Sequence, residues 1–283
     1  MINAMNISKR ALTKIVKDSI AEDHGYFGDI TSKNSIHKDT IVSGTINSNQ
    51  SGIISGIDCA RLTFSNIDKN IEFSPKIKDG EQIQPNGVIA NISGNAISIL
   101  SAERVALNFI GHLSGIATET RKYVDRIAHT NAKVLSTRKT TPLIRALEKY
   151  AVRSGGGFNH RFGLDYGILV KDNHIKSAGG IDKIIKNIKG KEPYLTSIEV
   201  EVDTEEQFLE CQSLDVKYIL LDNMSIEEMK RCISLNTNQA TLEASGGINL
   251  QNVKKVAETG VDYISIGRIT HSSPSLDVSL HIH

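Results

Sequence analysis

The chain has almost no net charge, no paired cysteines and no long apolar run, and each absence argues against a class of function. Lys and Arg number 33 against 32 Asp and Glu in 283 residues, so the basic excess that covers nucleic acid or an anionic membrane is missing. The three cysteines, Cys59, Cys211 and Cys232, form no CxxC pair. That argues against a zinc ribbon or a disulfide framework and suits a reducing cytoplasm. Cys211 and Cys232 fall in helical patterns and read as core fillers. No stretch offers the ~18 apolar residues of a spanning helix. The opening "MINAMNISKRALTKIVKDSI" has neither an apolar core nor a small-residue cleavage site. The expectation is a cytoplasmic protein with no nucleic-acid or membrane partner.

What positive charge there is lies in one place. Between Arg138 and His174 the chain carries seven Lys or Arg and three Asp or Glu, which points to a small anion as partner.

The first hundred residues read as α+β. A helix is expected over Ser8–Ala21, where Ala11, Leu12, Ile15, Val16 and Ile20 recur at helical spacing. Short β-branched runs with Asp79-Gly80 and Asn86-Gly87 turns then predict a small antiparallel sheet. A helical stretch follows from Ser98 to about Thr130, with breaks plausible at Gly111 and Gly115. Beyond it, strand, loop and helix repeat. Strand ends at Glu201, Asp222, Ser245 and Gly267 are spaced 21 to 23 residues apart, the length of a βα unit. Between them fall a helix with Ile181, Ile184, Ile185 and Ile188, one with a Ser225/Glu228 capping box, and one from Asn249 to Gly260.

Six apolar strands, with a seventh unrecognised one allowed, imply a parallel sheet buried on both faces and closed into an incomplete, irregular α/β barrel. The fold expected is that barrel, 116–271, preceded by an N-terminal α/β sandwich domain, 1–115, which the tail 272–283 joins. Chemistry in parallel barrels collects at the carboxyl ends of the strands. Those ends supply cations at Arg138, Lys139 and Lys171, carboxylates at Glu201 and Asp222, and Ser245, Gly246, Gly247, Gly267 and His271. The carboxylates suit Mg²⁺, and a glycine pair before a helix suits a phosphate. Alternation in "IEVEV" puts Glu199 on the face of Glu201 but deeper, as a buried paired charge. Single carboxylates of this kind are as often plain salt bridges. Thr141 and Pro142 read as N-cap and first position of a helix whose Arg145, Lys149 and Arg153 form a solvated stripe beside Glu148. Arg138, Lys139, His160 and Arg161 lie instead in loops. His281 and His283 read as a mobile tail, and His24, His37, His112 and His129 receive no role.

The segments "TRKTTP", "GGGFNHR", "LVKDNH", "EVEV", "LLDN", "SGGI" and "GRITHS", in this order, resemble the quinolinate phosphoribosyltransferases, also called nicotinate-nucleotide pyrophosphorylases. The likeness runs from "EDHGYFGDIT" to the end. It implies the same sandwich-plus-barrel fold and a Mg²⁺-dependent, decarboxylating transfer from phosphoribosyl pyrophosphate to quinolinate, a step of NAD biosynthesis. It also implies a homodimer. On the matching positions, Arg138, Lys139, His160, Arg161 and Lys171 hold quinolinate, Glu201 and Asp222 handle the metal-bound ribose and pyrophosphate, and Ser245, Gly246, Gly247, Gly267 and His271 cradle the 5′-phosphate. Arg104 in "SAERVALNF" matches the arginine that a neighbouring subunit inserts, although taken alone it is an ordinary helix-surface residue.

Two positions depart from the family's pattern. Ser136 stands where "DTRKT" has Asp, and Leu143-Ile144 stands where Gly-Leu is usual. Three rival readings stay open at this point: a molybdenum-transport-associated relative with the same fold, a Schiff-base lyase using Lys171, and a nucleotide sensor without turnover.

Overall fold

The computed structural model describes residues 7–191 and 196–283; the first six residues of the N-terminal segment read above lie outside them. By compactness the chain divides into two units. The first runs to Arg121 and takes in Thr140–Gly156 and Ile269–His283, and the second comprises Lys122–Lys139 and Gly157–Arg268. The 140–156 segment is thus grouped with the first unit, although it lies within the stretch 116–271 expected to form the barrel.

The first unit is built on an antiparallel sheet in the order Val278–Ile282, Ile41–Ser48, Val88–Asn95, Glu72–Pro75. Its first helix forms at Lys9–His24, and Ser8 Oγ accepts from Ala11 N at 3.1 Å, satisfying one of the N–H groups a helix start leaves over. Ile46, Ile89 and Ile92 from the sheet form one apolar cluster with Phe64 of helix Ile57–Ile67 and with Ile99, Ala106 and Ile110 of helix Ala96–Arg126. Each large side chain buried this way contributes about 1.5–3 kcal/mol.

Helix Ala96–Arg126 runs unbroken through Gly111 and Gly115. A Cβ on Gly111 would stand 2.9 Å from Leu276 O, and one on Gly115 would overlap the Pro274 carbonyl. The glycines serve close approach of the 274–276 backbone, not a break. That approach leads into the last strand, which corrects the expectation of a mobile tail: His281 pairs with Thr45 in the ladder, and His283 N donates to Ser43 O at 2.9 Å.

Two more expectations change in this unit. The helix after "TTP" begins at Arg145, with Ile144 as its cap, because Leu143 sits at φ 70° and left-handed backbone cannot continue into a right-handed helix. Nor is its charged side a solvated stripe, since Glu148 is 0% and Lys149 3% exposed. Glu148 accepts from Thr141 N at 3.0 Å and stands 2.8 Å from His112 Nε2, so it ties the preceding loop to the helix.

The second unit holds seven parallel strands in the order Phe158–Asn159, Lys133–Ser136, Tyr263–Ser265, Thr241–Ser245, Tyr218–Asp222, Ile198–Val202, Ile168–Val170. Among the described residues no ladder joins the first of these to the last, which is the incomplete barrel expected. The unrecognised seventh strand is Phe158–Asn159, inside "GGGFNHR". Val200, Val202, Ile219, Leu221, Leu242, Ala244 and Ile264 alternate along the strands and are buried, as are Phe208, Cys211, Met229 and Cys232 of the helices. The expected capping box forms: Ser225 N donates to Glu228 Oε2 at 2.7 Å and Glu228 N to Ser225 Oγ at 3.2 Å.

The other strand face is partly polar, although the strands read as apolar throughout. Glu199, Tyr218, Thr241, Glu243 and Tyr263 line a cavity of about 330 Å³. Period-2 alternation puts Glu201, Asp222, Ser245 and Ser265 on the same face.

Candidate active site

Parallel pairing brings the strand ends level in a fixed stagger. Asp222 lies opposite Ser245, and Glu201 lies opposite Leu220, with neighbouring strands ~4.8 Å apart. Lys171 follows strand Ile168–Val170 and precedes helix Asp172–Ala178. Its backbone is pinned at this junction, since Lys171 N donates to His174 Nδ1 at 2.9 Å. From there Lys171 Nζ reaches Glu201 Oε2 at 2.6 Å, an ion pair between two residues that sequence reading had assigned to different tasks.

Asp222 is oriented by its neighbour. Asn223 Nδ2 donates to Asp222 Oδ2 at 2.7 Å, and Asn223 N donates to Ser245 O at 2.9 Å, which holds Asn223 at φ 56°. Gly246, at φ 90°, lies so close that a Cβ would overlap the Asn223 carboxamide. Its first use is therefore to admit Asn223. Gly247, at φ 62°, faces open space. The helix expected directly after this pair starts only at Val253 and is five residues long, so the argument from a helix dipole falls away. What remains is two consecutive glycines whose left-handed backbone can approach a ligand closely. Gly267 sits half-buried between strand Tyr263–Ser265 and the short helix Arg268–His271.

The cations differ in setting. Arg138 and Lys139 are exposed, with Lys139 N donating to Thr137 Oγ1 at 3.0 Å. Arg161 is half-buried; its Nη1 donates to Gly167 O at 2.9 Å, while its Nε is buried with no acceptor among the described residues. Burial first, then the charge of Arg138, hold its guanidinium below the usual arginine range, and Glu199 opposes them. A buried donor left unmet costs about 1–3 kcal/mol, and a carboxylate would meet it.

His160 is not one more cation of this set. Arg161 N donates to its Nδ1 at 2.7 Å; a backbone N–H can only donate, so Nδ1 carries no proton and the ring proton sits on Nε2. That nitrogen lies 2.8 Å from Glu199 Oε2 and 3.6 Å from Glu243 Oε2. The imidazole is a neutral link between a backbone turn and two acids, with Glu199 the buried paired charge that alternation predicted. Just before it, buried Ser136 donates from Oγ to Asn159 Oδ1 at 2.8 Å. Ser136 therefore acts on the turn that carries His160.

Sequence reasoning missed Glu243, Ser265 and Asn223. Ser265 Oγ donates to Glu243 Oε1, and Glu243 is 4% exposed. Burial, followed by the negative charge of Glu199, pushes its carboxyl up to about 7. The signal was available: Glu243 is a charge in the middle of the apolar run "ATLEAS", two residues before Ser245 and hence on its face.

The structure brings some expected residues together and not others. His160, Arg161, Glu199 and Glu243 share the cavity, whose lining does not include Lys171, Glu201, Asp222 or the glycines. Glu199 and Glu201 are two residues apart on one strand, ~7 Å, so Glu199 lies one layer of side chains below Glu201, while Glu243 is level with Glu201, both being opposite Leu220. Arg104 and His271 belong to the first unit. Arg104 is exposed on helix Ala96–Arg126 and borders a hollow of about 500 Å³ with Asn108, His112 and Asp277. His271 Nδ1 lies 2.6 Å from Ser272 Oγ.

Two groups of donors are relevant to a metal. Lys171 and Asn223 each engage one oxygen of Glu201 and Asp222. The second oxygen of each carboxylate lies outside these bonds. This pair fits Mg²⁺ that completes its shell with substrate phosphates. His160, Glu199 and Glu243 place ligand atoms within 4.8 Å of one another, but their bonds to one another already occupy these atoms, and no metal is assigned there. The thiols are inert by burial, which pushes Cys211 up to about 12, Cys232 up to about 11 and Cys59 higher still.

Comparison with known proteins covers both units. The family description "Quinolinate phosphoribosyl transferase, N-terminal domain" matches residues 29–114, and its C-terminal counterpart matches 116–281. The chain is 41% identical over 271 residues to the probable nicotinate-nucleotide pyrophosphorylase (carboxylating) of Bacillus subtilis strain 168, spanning 96% of this chain and 93% of that one. It is 36% identical over 272 residues to the Mycobacterium leprae nicotinate-nucleotide pyrophosphorylase (carboxylating), spanning 94% and 95%. The solved nicotinate-nucleotide pyrophosphorylase of Francisella tularensis superposes with a TM-score of 0.93 at 38% identity, over 98% of both chains. With both halves matched and relatives of this likeness along nearly its whole length, the chain belongs to the quinolinate phosphoribosyltransferase family.

Proposed function

We propose that this chain joins quinolinate to phosphoribosyl pyrophosphate, giving nicotinate mononucleotide, CO2 and pyrophosphate, in the cytoplasm and as a homodimer. The observation that carries the reading is the rim of the parallel sheet. There Lys171 with Glu201, Asp222 with Asn223, and Ser245 with Gly247 stand on successive strands. The names of the relatives support the choice of substrates. Among the described residues no helix is long and apolar enough to cross a membrane.

Quinolinate carries two adjacent carboxylates, which need fixed cations to be held side by side; Arg161, Arg138, Lys139 and Lys171 supply them, with the planar forks of the arginines suited to a carboxylate. Ser245, Gly246, Gly247 and Gly267 hold the 5′-phosphate, which keeps the anomeric carbon over the ring. The pyridine nitrogen then attacks that carbon as its bond to pyrophosphate breaks. Mg²⁺ held by Glu201 and Asp222 would neutralise charge on the leaving pyrophosphate. The ring nitrogen is now cationic. That charge stabilises the electron pair left on the adjacent carbon when its bond to the carboxylate breaks and CO2 departs, and a proton takes its place. Arg104 completes the site of the neighbouring subunit.

A Schiff-base lyase has less support, since Lys171 spends its nitrogen on Glu201, whereas that chemistry needs a free amine. The test measures CO2 and nucleotide from quinolinate and from nicotinate, for the wild type and Lys139→Ala, with and without Mg²⁺. The expected result is turnover of quinolinate alone, lost on chelation and in the variant. Turnover that survives chelation overturns the metal assignment, and nucleotide formed without CO2 release overturns the reaction.

A further inference from the structure

Two buried acids line one cavity with Arg161, whose proposed task is to bind a dianion, and two full negative charges there would oppose that task. The geometry shows how one is removed. A carboxylate oxygen of Glu243 and one of Glu199 lie within 4.8 Å of each other, and two buried carboxylates that close do not both ionise, so the pair keeps one proton. Glu199 also faces the Nε2 proton of His160, and Glu243 also takes the Ser265 hydroxyl. The neighbours place the proton on Glu243: it is the more buried of the two, at 5% side-chain exposure against 14%, and Arg161 interacts with Glu199. Among the described residues, the charged and titratable groups facing Glu243 or lining its cavity are Glu199, His160, Arg161, Tyr218 and Tyr263.

We propose that Glu243 is a positioning residue for the dicarboxylate site. As the protonated member of its pair with Glu199, it holds the His160–Arg161 turn in place and leaves one negative charge, not two, beside Arg161. The inference rests on the function proposed above, and it assigns Glu243 a control over substrate affinity and not over bond breaking.

A carboxyl raised to about 7 is protonated below that pH and charged above it. Charging it weakens dianion binding. The KM of the wild type for quinolinate should therefore rise about tenfold between pH 6 and pH 8, the most that a single controlling proton with that midpoint allows. In Glu243→Gln the amide keeps a donor for Glu199 and an acceptor for Ser265 but cannot ionise. Its KM should stay within about twofold across the same range and its kcat within about threefold of wild type. A Glu243→Gln profile that tracks the wild type, or a fall in kcat at unchanged KM, overturns the proposal. Should that variant not fold, Glu199→Gln serves: removing the like charge should move the wild-type rise to lower pH, and an unmoved midpoint overturns the proposal equally. Calorimetric binding of quinolinate at each pH separates the two claims. Turnover of quinolinate by the wild type tests the function. If turnover is absent, a binding constant that falls with pH in the wild type and is flat in Glu243→Gln still supports the role of Glu243, and parallel binding curves overturn it.

Discussion

Each unit sets a histidine against a glutamate at the same distance, and the two pairs are built for different ends. In the first, His112 Nε2 lies 2.8 Å from Glu148, whose other oxygen takes the backbone N–H of Thr141. In the second, His160 Nε2 lies 2.8 Å from Glu199, and the next neighbour is a second acid at the wall of a cavity. A buried carboxylate closed by backbone fixes the path of a loop. A carboxylate paired with another acid beside a hollow stores a proton. The same division separates the two sheets. One buries Ile46, Ile89 and Ile92, while the other turns Glu199, Glu243 and Tyr263 toward its cavity.

The comparison breaks first if stability and chemistry are not separable in this way. Phe64 is 1% exposed within the apolar cluster of the first unit, so Phe64→Ala should cost about 3–5 kcal/mol of unfolding free energy. Urea denaturation measures this, and turnover per folded molecule should be unchanged. Asp222→Asn is the opposite case. It keeps the shape of a half-buried side chain but removes the charge proposed for the metal, and kcat should fall about 10²–10³-fold with the urea midpoint unmoved. A large stability loss in Asp222→Asn would mean that the rim acids are structural, and the contrast between the sheets would be lost.

The two histidine–glutamate pairs sharpen the point. Glu148→Gln replaces an acceptor-only group by one with a wrongly placed donor, which should cost about 1–3 kcal/mol of stability while the pH profile of KM keeps its wild-type form. Glu243→Gln should do the reverse. A change of pH profile in Glu148→Gln would show that the two pairs are not separate in function.

Much of the site could be read from the chain because a parallel strand writes its function in alternation. Glu201, Asp222 and Ser245 end apolar runs at regular spacing, and period 2 puts Glu199 one layer below Glu201. The seventh strand, Phe158–Asn159, was illegible because two residues carry no period. His160 was misread as a cation because its tautomer is set by Glu199, distant in sequence, and by the backbone of Arg161. The last strand read as a tail because its partner, Ile41–Ser48, lies at the other end of the chain, and Lys149 and Glu148 read as solvated because helical spacing alone does not say what packs on that face. In each of these cases the deciding contact is non-local.

Leu143 is a smaller case in which local chemistry and tertiary need disagree. It sits at φ 70°, and the residue is 93% exposed. Left-handed backbone costs an L-residue about 1–2 kcal/mol, and an exposed leucine recovers none of that through burial. Glycine removes the strain but adds about 0.5–1 kcal/mol of backbone freedom to the unfolded chain. Leu143→Gly should therefore stabilise the protein by about 0.5–1 kcal/mol, visible as a higher urea midpoint at unchanged slope. Leu143→Ala gives the control, since alanine keeps the strained backbone and drops only the exposed side chain; its midpoint should stay with the wild type. If both substitutions leave the midpoint where it was, the turn before Arg145 carries no strain, and the late start of that helix needs a cause other than the backbone of Leu143.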